Sequence, residues 1–261
     1  MLLNCDLGES FGSWTMGQDE KAMPHIDQAN IACGFHAGDP LVMQKTLALA
    51  KQHNVMVGAH PAYPDLVGFG RRSIKCSSQE IVAFMHYQIA AIQGMAACQG
   101  LTLEYVKPHG ALYNDMMSNA QVREAVMQAV SEHSNSLVAQ NKAPLRLMLQ
   151  ANGDAQKHLR QAKQLGLDLY FEAFADRCYE DDGSLMARSK VGAVLDHEAM
   201  LKQVAQLNQE GTITSANGKI LKLKVDSLCV HGDNDAAIAA IESIRAIIQN
   251  NTENALSFDS L

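Results

Sequence analysis

Several features are missing from this chain, and each absence removes a class of protein. Six cysteines (Cys5, Cys33, Cys76, Cys98, Cys178 and Cys229) are spread over 261 residues with no CxxC among them. That excludes a zinc ribbon and a thioredoxin-like redox motif, and a chain of this length has no need of a disulfide framework. No uninterrupted run of about 18 apolar residues is present to cross a bilayer. The opening Met-Leu-Leu-Asn-Cys-Asp meets Asp6 and Glu9 before a signal-peptide core can form, so a cytoplasmic location with reduced thiols is expected. No basic run occurs, and 28 acidic against 21 basic residues leave a formal charge of -7. Neither nucleic acid nor a membrane is therefore expected as the main partner. There is no GxxxxGK[ST] phosphate loop, no GxGxxG after a strand, no GxSxG elbow and no HExxH helix. Repeats, low-complexity segments and linkers are lacking too.

What is present is a βαβα rhythm. Short apolar runs at Leu2–Cys5, Ala29–Cys33, Val55–Ala59, Leu103–Val106, Leu145–Gln150, Leu167–Ala173 and Leu228–Val230 read as strands. Helical periodicity fills Pro40–His53, Ser78–Cys98, Asn119–Ser134, Asp154–Leu165, His197–Gln209 and Asp235–Gln249. Ser77 with Glu80 is a capping-box signal, and Gly100 and Gly166 read as helix stops. The alternation predicts a parallel sheet with crossover helices, and about seven strand–helix units favour a TIM-like (β/α) barrel over an open sheet. Thr212–Lys224 reads as two strands around Asn217-Gly218, a hairpin inserted before the last strand. A single catalytic domain over residues 1–250 and a polar tail over 251–261 are expected.

The histidines carry the functional signal. Four of the ten stand at strand exits beside small or stiff residues: Gly34-Phe35-His36-Ala37-Gly38-Asp39, Gly58-Ala59-His60-Pro61, Lys107-Pro108-His109-Gly110 and Val230-His231-Gly232-Asp233. The first strand ends similarly in Asn4-Cys5-Asp6-Leu7-Gly8-Glu9. The C-terminal strand ends of a barrel form its active site, so these five exits are expected to converge. Asp6, His36, His60, Lys107 and His109 are the catalytic candidates. Histidine offers acid/base capacity or a neutral nitrogen for a metal. Asp6 could orient an imidazole, bind a metal or act as the base. Lys107 could stabilise an oxyanion, or could simply pair with Asp6 or Glu9. Glu9, Asp39, Arg71, Arg72 and His231 are the substrate-binding candidates. The adjacent arginines of Gly68-Phe69-Gly70-Arg71-Arg72 suit a carboxylate or phosphate, unless they only serve a solvated loop. Asp176-Arg177 is a lesser candidate of the same kind, and Glu180-Asp181-Asp182-Gly183 reads as a solvated turn. Cys33 reads as a packed strand residue rather than a nucleophile. His25, His53, His86, His133, His158 and His197 fall in or beside helices, where packing is the default reading.

The motifs at the first four exits, with Gly68–Arg72 and Lys107-Pro108-His109-Gly110-Ala111-Leu112-Tyr113-Asn114, resemble the LamB/YcsF family, the A component of bacterial ATP-dependent 5-oxoprolinase. The resemblance extends over nearly the whole chain. It implies a barrel related to the carbohydrate deacetylases and a part in opening 5-oxo-L-proline to L-glutamate. It also implies ATP as the cofactor of a complex, with separate B and C subunits handling the nucleotide. On that footing Asp6 and His60 are expected to do acid/base work, His109 to protonate the leaving nitrogen, and Lys107 to stabilise the oxyanion. Arg71 and Arg72 are expected to hold the substrate carboxylate or the phosphoryl group. Whether a metal is bound stays open. A stand-alone metal-dependent deacetylase or amidohydrolase, with Asp6 joined by His36, His60 or His109, is the second reading. A non-catalytic adaptor is the third.

Overall fold

A computed structural model of the chain describes residues 1–232 and 234–258. In chain order the elements are β1 (Leu2–Leu7), α1 (Asp19–Ala22), β2 (Gln28–Ala32), α2 (Pro40–His53), β3 (Met56–His60) and α3 (Ser78–Cys98). Next come β4 (Leu103–Val106), α4 (Gly110–Ser118), α5 (Ala120–Val138), β5 (Arg146–Gln150), α6 (Ala155–Gln164) and β6 (Asp168–Phe174). Finally α7 (His197–Glu210), β7 (Thr212–Thr214), β8 (Ile220–Lys222), β9 (Ser227–Val230) and α8 (Asp235–Phe258) complete the fold.

Among the described residues, seven parallel strands close into a barrel in the order β1-β2-β3-β4-β5-β6-β9, as the alternation predicts. The last strand seals it by pairing with both neighbours, Leu3 opposite Leu228 on one side and Ala173 opposite Leu228 on the other. The β7–β8 pair is the inserted hairpin, antiparallel with Ile213 opposite Leu221, and it precedes β9. Helix α8 runs to Phe258, into the stretch expected to be a polar tail, while residues 259–261 lie outside the described residues. So does Asp233, the last residue of the fifth exit motif.

The helices start and stop where local chemistry dictates. Asp39 caps α2 by accepting from the amides of Leu41 and Val42, with Pro40 in the first turn. The Ser77–Glu80 capping box opens α3 with both reciprocal bonds formed. Ser77→Ala should therefore cost about 1 kcal/mol of stability; an unchanged urea midpoint would show the box to be redundant. Asn119, where the periodicity predicts a helix to begin, caps α5 by accepting from Gln121 N–H, and α4 before it is a helix the periodicity does not single out. By length and mean hydropathy α3 would suffice to cross a membrane, although Glu80, His86, Gln88 and Gln93 interrupt its apolar residues. In the fold it is an outer helix of the barrel, with Ile81, Met85, Ile89, Ile92 and Ala96 buried along one stripe.

Strand alternation sorts the side chains of β1. Leu3, Cys5 and Leu7 belong to the apolar core, while Asn4 and Asp6 take the opposite face. After β1 a turn closes between Phe11 and Trp14, tied to the start of α2 by Gly12 N–H donating to Asp39 at 2.8 Å. Trp14, the chain's single tryptophan, is 65% exposed on that turn.

Candidate active site

A layer of polar side chains fills the barrel beneath its C-terminal mouth. Asn30, opposite Asp6 in register, donates to both Asn4 and Asp6 at 2.8 Å. Tyr105 donates to Asn30 Oδ1 at 2.7 Å; its ring occupies the space that a Cβ on Gly58 would need, so glycine there admits the tyrosine. Lys107, just past β4, reaches into this layer. Its Nζ lies 2.9 Å from Asp6 Oδ1, 3.1 Å from Glu172 Oε2 and 3.1 Å from Asn4 Oδ1. Burial alone would lower the Lys107 pKa, but the carboxylates of Asp6 and Glu172 outweigh it and hold it well above the usual lysine range. Burial would likewise raise Asp6, yet His60 in its protonated form and the Lys107 ammonium hold that carboxyl well below the usual range. Lys107 thus makes the ion pair with Asp6 that is one of its two expected roles, and a second with Glu172, which the strand pattern does not single out.

Above this layer three histidines and a glutamate converge. Glu9, His36, His60 and His109 bring ligand-type atoms within 4.8 Å of one another. His60 ends β3 and its Nδ1 lies 2.7 Å from the Lys107 carbonyl. His109, the residue before α4, sets its Nε2 2.9 Å from the Phe69 carbonyl. The other nitrogens of these two rings, His60 Nε2 and His109 Nδ1, face each other at 2.9 Å. Asp6 Oδ2 lies 3.3 Å from His60 Nε2, and Glu9 Oε1 lies 3.4 Å from His109 Nδ1. His36 contacts Glu9 Oε1 at 3.1 Å through Nε2 and stacks flat on His109, centroids 3.8 Å apart and planes within 4°. Burial, with the neighbouring imidazoles, pushes His36 well below the usual histidine range and His109 down to about 3. Both rings are neutral near pH 7.

The loop before α3 packs tightly over this cluster. His109 N–H donates to Pro61 O and Ala111 N–H to Gly70 O, both at 2.8 Å. Gly70 has φ +65, and a Cβ there would stand 2.8 Å from both His109 Cδ2 and His36 Cβ. Only glycine fits, because the backbone is left-handed and the imidazoles touch it.

The remaining candidates are placed elsewhere. Asp39 commits its carboxylate to the amides of Gly12, Leu41 and Val42. Arg72 pairs with Asp65 through Nε at 3.0 and 3.1 Å and through Nη2, bracing the loop from within. Arg71 stays exposed at the rim with its guanidinium 5.1 Å from the centre of the Phe69 ring. His231 pairs with Asp176 at 3.4 Å and lines a cavity of about 340 Å³ between α7 and α8, apart from the four clustered residues. Asp176 opposes the burial of His231 and raises its pKa. Cys33 is packed as expected; burial lifts its thiol to about 12. Arg177 bonds the carbonyls of Ala193 and Met186 inside its own loop.

Asn4, Asn30, Tyr105, Glu172 and Cys229, whose Sγ lies 3.4 Å from Lys107 Nζ, are the site residues that sequence reasoning missed. A charge in the middle of an apolar strand, Glu172 in Leu-Tyr-Phe-Glu-Ala-Phe, is the available signal. Its fully buried position needs a compensating cation, and Lys107 is that cation.

Comparison with known proteins agrees with this architecture. Residues 1–260 match the LamB/YcsF family. The A subunit of 5-oxoprolinase from Pseudomonas fluorescens (strain Pf0-1) is 50% identical over 246 residues, which cover 94% of this chain and 95% of that protein. The protein of the same name from Vibrio campbellii (strain ATCC BAA-1116) is also 50% identical over 246 residues, covering 94% of each chain. Among solved structures, the lactam utilization protein from Thermus thermophilus superposes with a TM-score of 0.87 at 34% identity, covering 97% of both chains. Sequence and fold agree from end to end: the chain belongs to the LamB/YcsF family.

Proposed function

We propose that this chain is the A subunit of an ATP-dependent 5-oxoprolinase and takes part in opening 5-oxo-L-proline to L-glutamate. The observation that carries the reading is the half-identical match, over nearly its full length, to proteins named as the A subunit of 5-oxoprolinase. The polar barrel mouth supplies chemistry consistent with it.

A five-membered lactam is an amide, and its hydrolysis at neutral pH is slow and weakly driven. Phosphorylating the lactam oxygen, at the cost of ATP, creates a better electrophile and supplies the driving force. This chain has no phosphate loop, so nucleotide chemistry is assigned to separate B and C subunits, and the ring opening to the barrel mouth. Opening adds the water oxygen to the carbonyl carbon, breaks the carbon–nitrogen bond and places the water's protons on nitrogen. This leaves the phosphoryl group on the new carboxyl as an acyl phosphate; a second water then releases phosphate and glutamate. Asp6 is the more exposed carboxylate of the mouth, 23% against 14% for Glu9. With its pKa depressed it is a weak base but a strong acid once protonated. It therefore suits an already activated electrophile: it orients the water, receives its proton and passes that proton to the departing nitrogen. Lys107 is too enclosed to meet the substrate and acts by fixing Asp6. The two ring N–H groups of His60 and His109 are committed to backbone carbonyls, so neither ring keeps a spare proton for the leaving group. Arg71, exposed at the rim, is the cation placed to meet a substrate carboxylate or phosphoryl group.

Release of glutamate and phosphate from 5-oxoproline and ATP, with candidate B and C subunits, tests the reading. Glutamate should form only when this chain is added. Equal glutamate without it rejects the role. A second reading, a metal-dependent amidohydrolase acting alone, is favoured by the clustered imidazoles; ring opening by this chain without ATP would select it.

A further inference from the structure

The geometry between His60 and His109 poses a problem of charge. A backbone carbonyl only accepts, so each ring proton sits on the nitrogen that faces Lys107 O or Phe69 O. That leaves His60 Nε2 and His109 Nδ1 as lone-pair donors aimed at each other across 2.9 Å. Two lone pairs at that separation repel, and a positive centre between them removes the repulsion. Fixing a ring by donating its far N–H to a carbonyl is also how metal-binding histidines are oriented.

The neighbouring distances decide what that centre is. His60 Nε2 to His109 Nδ1 is 2.9 Å and His109 Nδ1 to Glu9 Oε1 is 3.4 Å. A tetrahedral ion with bonds of about 2.0–2.1 Å has ligand–ligand edges of roughly 3.3 Å. His36 sits within the same cluster but cannot be a ligand alongside His109. Their rings are stacked within 4° of parallel, and one ion cannot lie in two parallel ring planes 3.8 Å apart at their centres. His36 instead contacts Glu9 Oε1 and holds that carboxylate in place.

We propose that His60 Nε2, His109 Nδ1 and Glu9 Oε1 bind one divalent transition-metal ion of the zinc class. Two imidazoles and one carboxylate leave a fourth position for a water or for Asp6 Oδ2, which lies a ligand–ligand edge of 3.3 Å from His60 Nε2. The carboxylates of Asp6 and Glu9 together balance a dication. Bound there, such an ion supplies Lewis acidity to a carbonyl oxygen or makes a water more acidic. Binding of the ion follows from the geometry alone; its use in ring opening rests on the function proposed above.

The test titrates chelator-stripped full-length chain with zinc by calorimetry and with cobalt by visible absorption, with no substrate or partner subunit present. One equivalent should bind, with a four-coordinate cobalt spectrum and a raised melting temperature. Outer-sphere substitutions around metals cost 10–100-fold in affinity, so His109→Gln should weaken binding by about 100-fold or more. His36→Asn, which acts only through Glu9, should cost about tenfold, at the low end of that range. Absence of stoichiometric binding in the wild-type chain overturns the proposal and leaves a shared proton between the rings. Loss in His36→Asn as large as in His109→Gln overturns the ligand assignment. The wild-type titration decides the ion by itself, even where a variant fails to fold. Failure of the glutamate assay does not touch it.

Discussion

Lys107→Met should destabilise the chain by about 3–5 kcal/mol. The ammonium holds two carboxylates, Asp6 at 2.9 Å and Glu172 at 3.1 Å, and Glu172 is fully buried. Methionine keeps the length of the side chain and removes the charge, so the loss measures uncompensated charge rather than a cavity. For a chain of this size it corresponds to roughly a 10 °C drop in melting temperature. Adding Glu172→Gln to the same chain should recover much of the loss, because the stranded carboxylate is gone. Urea unfolding of the wild type, both single variants and the double variant gives the coupling directly. Simple additivity of the two changes would mean that Glu172 and Lys107 do not rely on each other, contrary to their 3.1 Å contact.

Turnover should respond most to Asp6→Asn. Asparagine preserves the shape and can still accept from Asn30 and Lys107, but it can neither receive nor return a proton. Loss of one well-placed acid/base group costs about 10²–10⁴-fold. In the complete assembly, glutamate release should fall by that factor while ATP-driven activation by the partner subunits persists. The ratio of phosphate to glutamate released should therefore rise. A rate within about threefold of wild type, far short of the loss expected for an acid/base group, would remove Asp6 from the proton path and leave it a structural partner of Lys107.

The barrel itself was legible because its strands are short, apolar and separated by helices with strong end signals. Ser77, Glu80 and Gly100 act within a few residues of themselves, and the structure uses each as its local chemistry suggests. His36, His60, His109 and Asp6 were legible for a different reason: exits of neighbouring parallel strands converge at one end of a barrel. What stayed hidden were the pairings across the barrel. Glu172 lies on a strand buried on both faces, where alternation no longer tells inward from outward. Arg72 meets Asp65 only because the intervening loop turns back on itself, so two adjacent arginines that read alike have different surroundings. Helix α4 stayed hidden because its start lies inside the Lys107–Asn114 motif, and it is only nine residues long before Asn119 caps the next helix.

The turn that carries Trp14 has a spectroscopic consequence. Because the chain has a single indole and that indole stands 65% exposed on the rim, its emission is already that of a ring in water. Loss of the barrel core changes its surroundings little, so the fluorescence is a poor gauge of unfolding. Anything that settles on the rim beside α2 and excludes solvent shifts the emission to the blue. Excited at wavelengths that the six tyrosines do not absorb, the protein thus contains its own optical probe of what docks on its mouth, with no second indole to mask it.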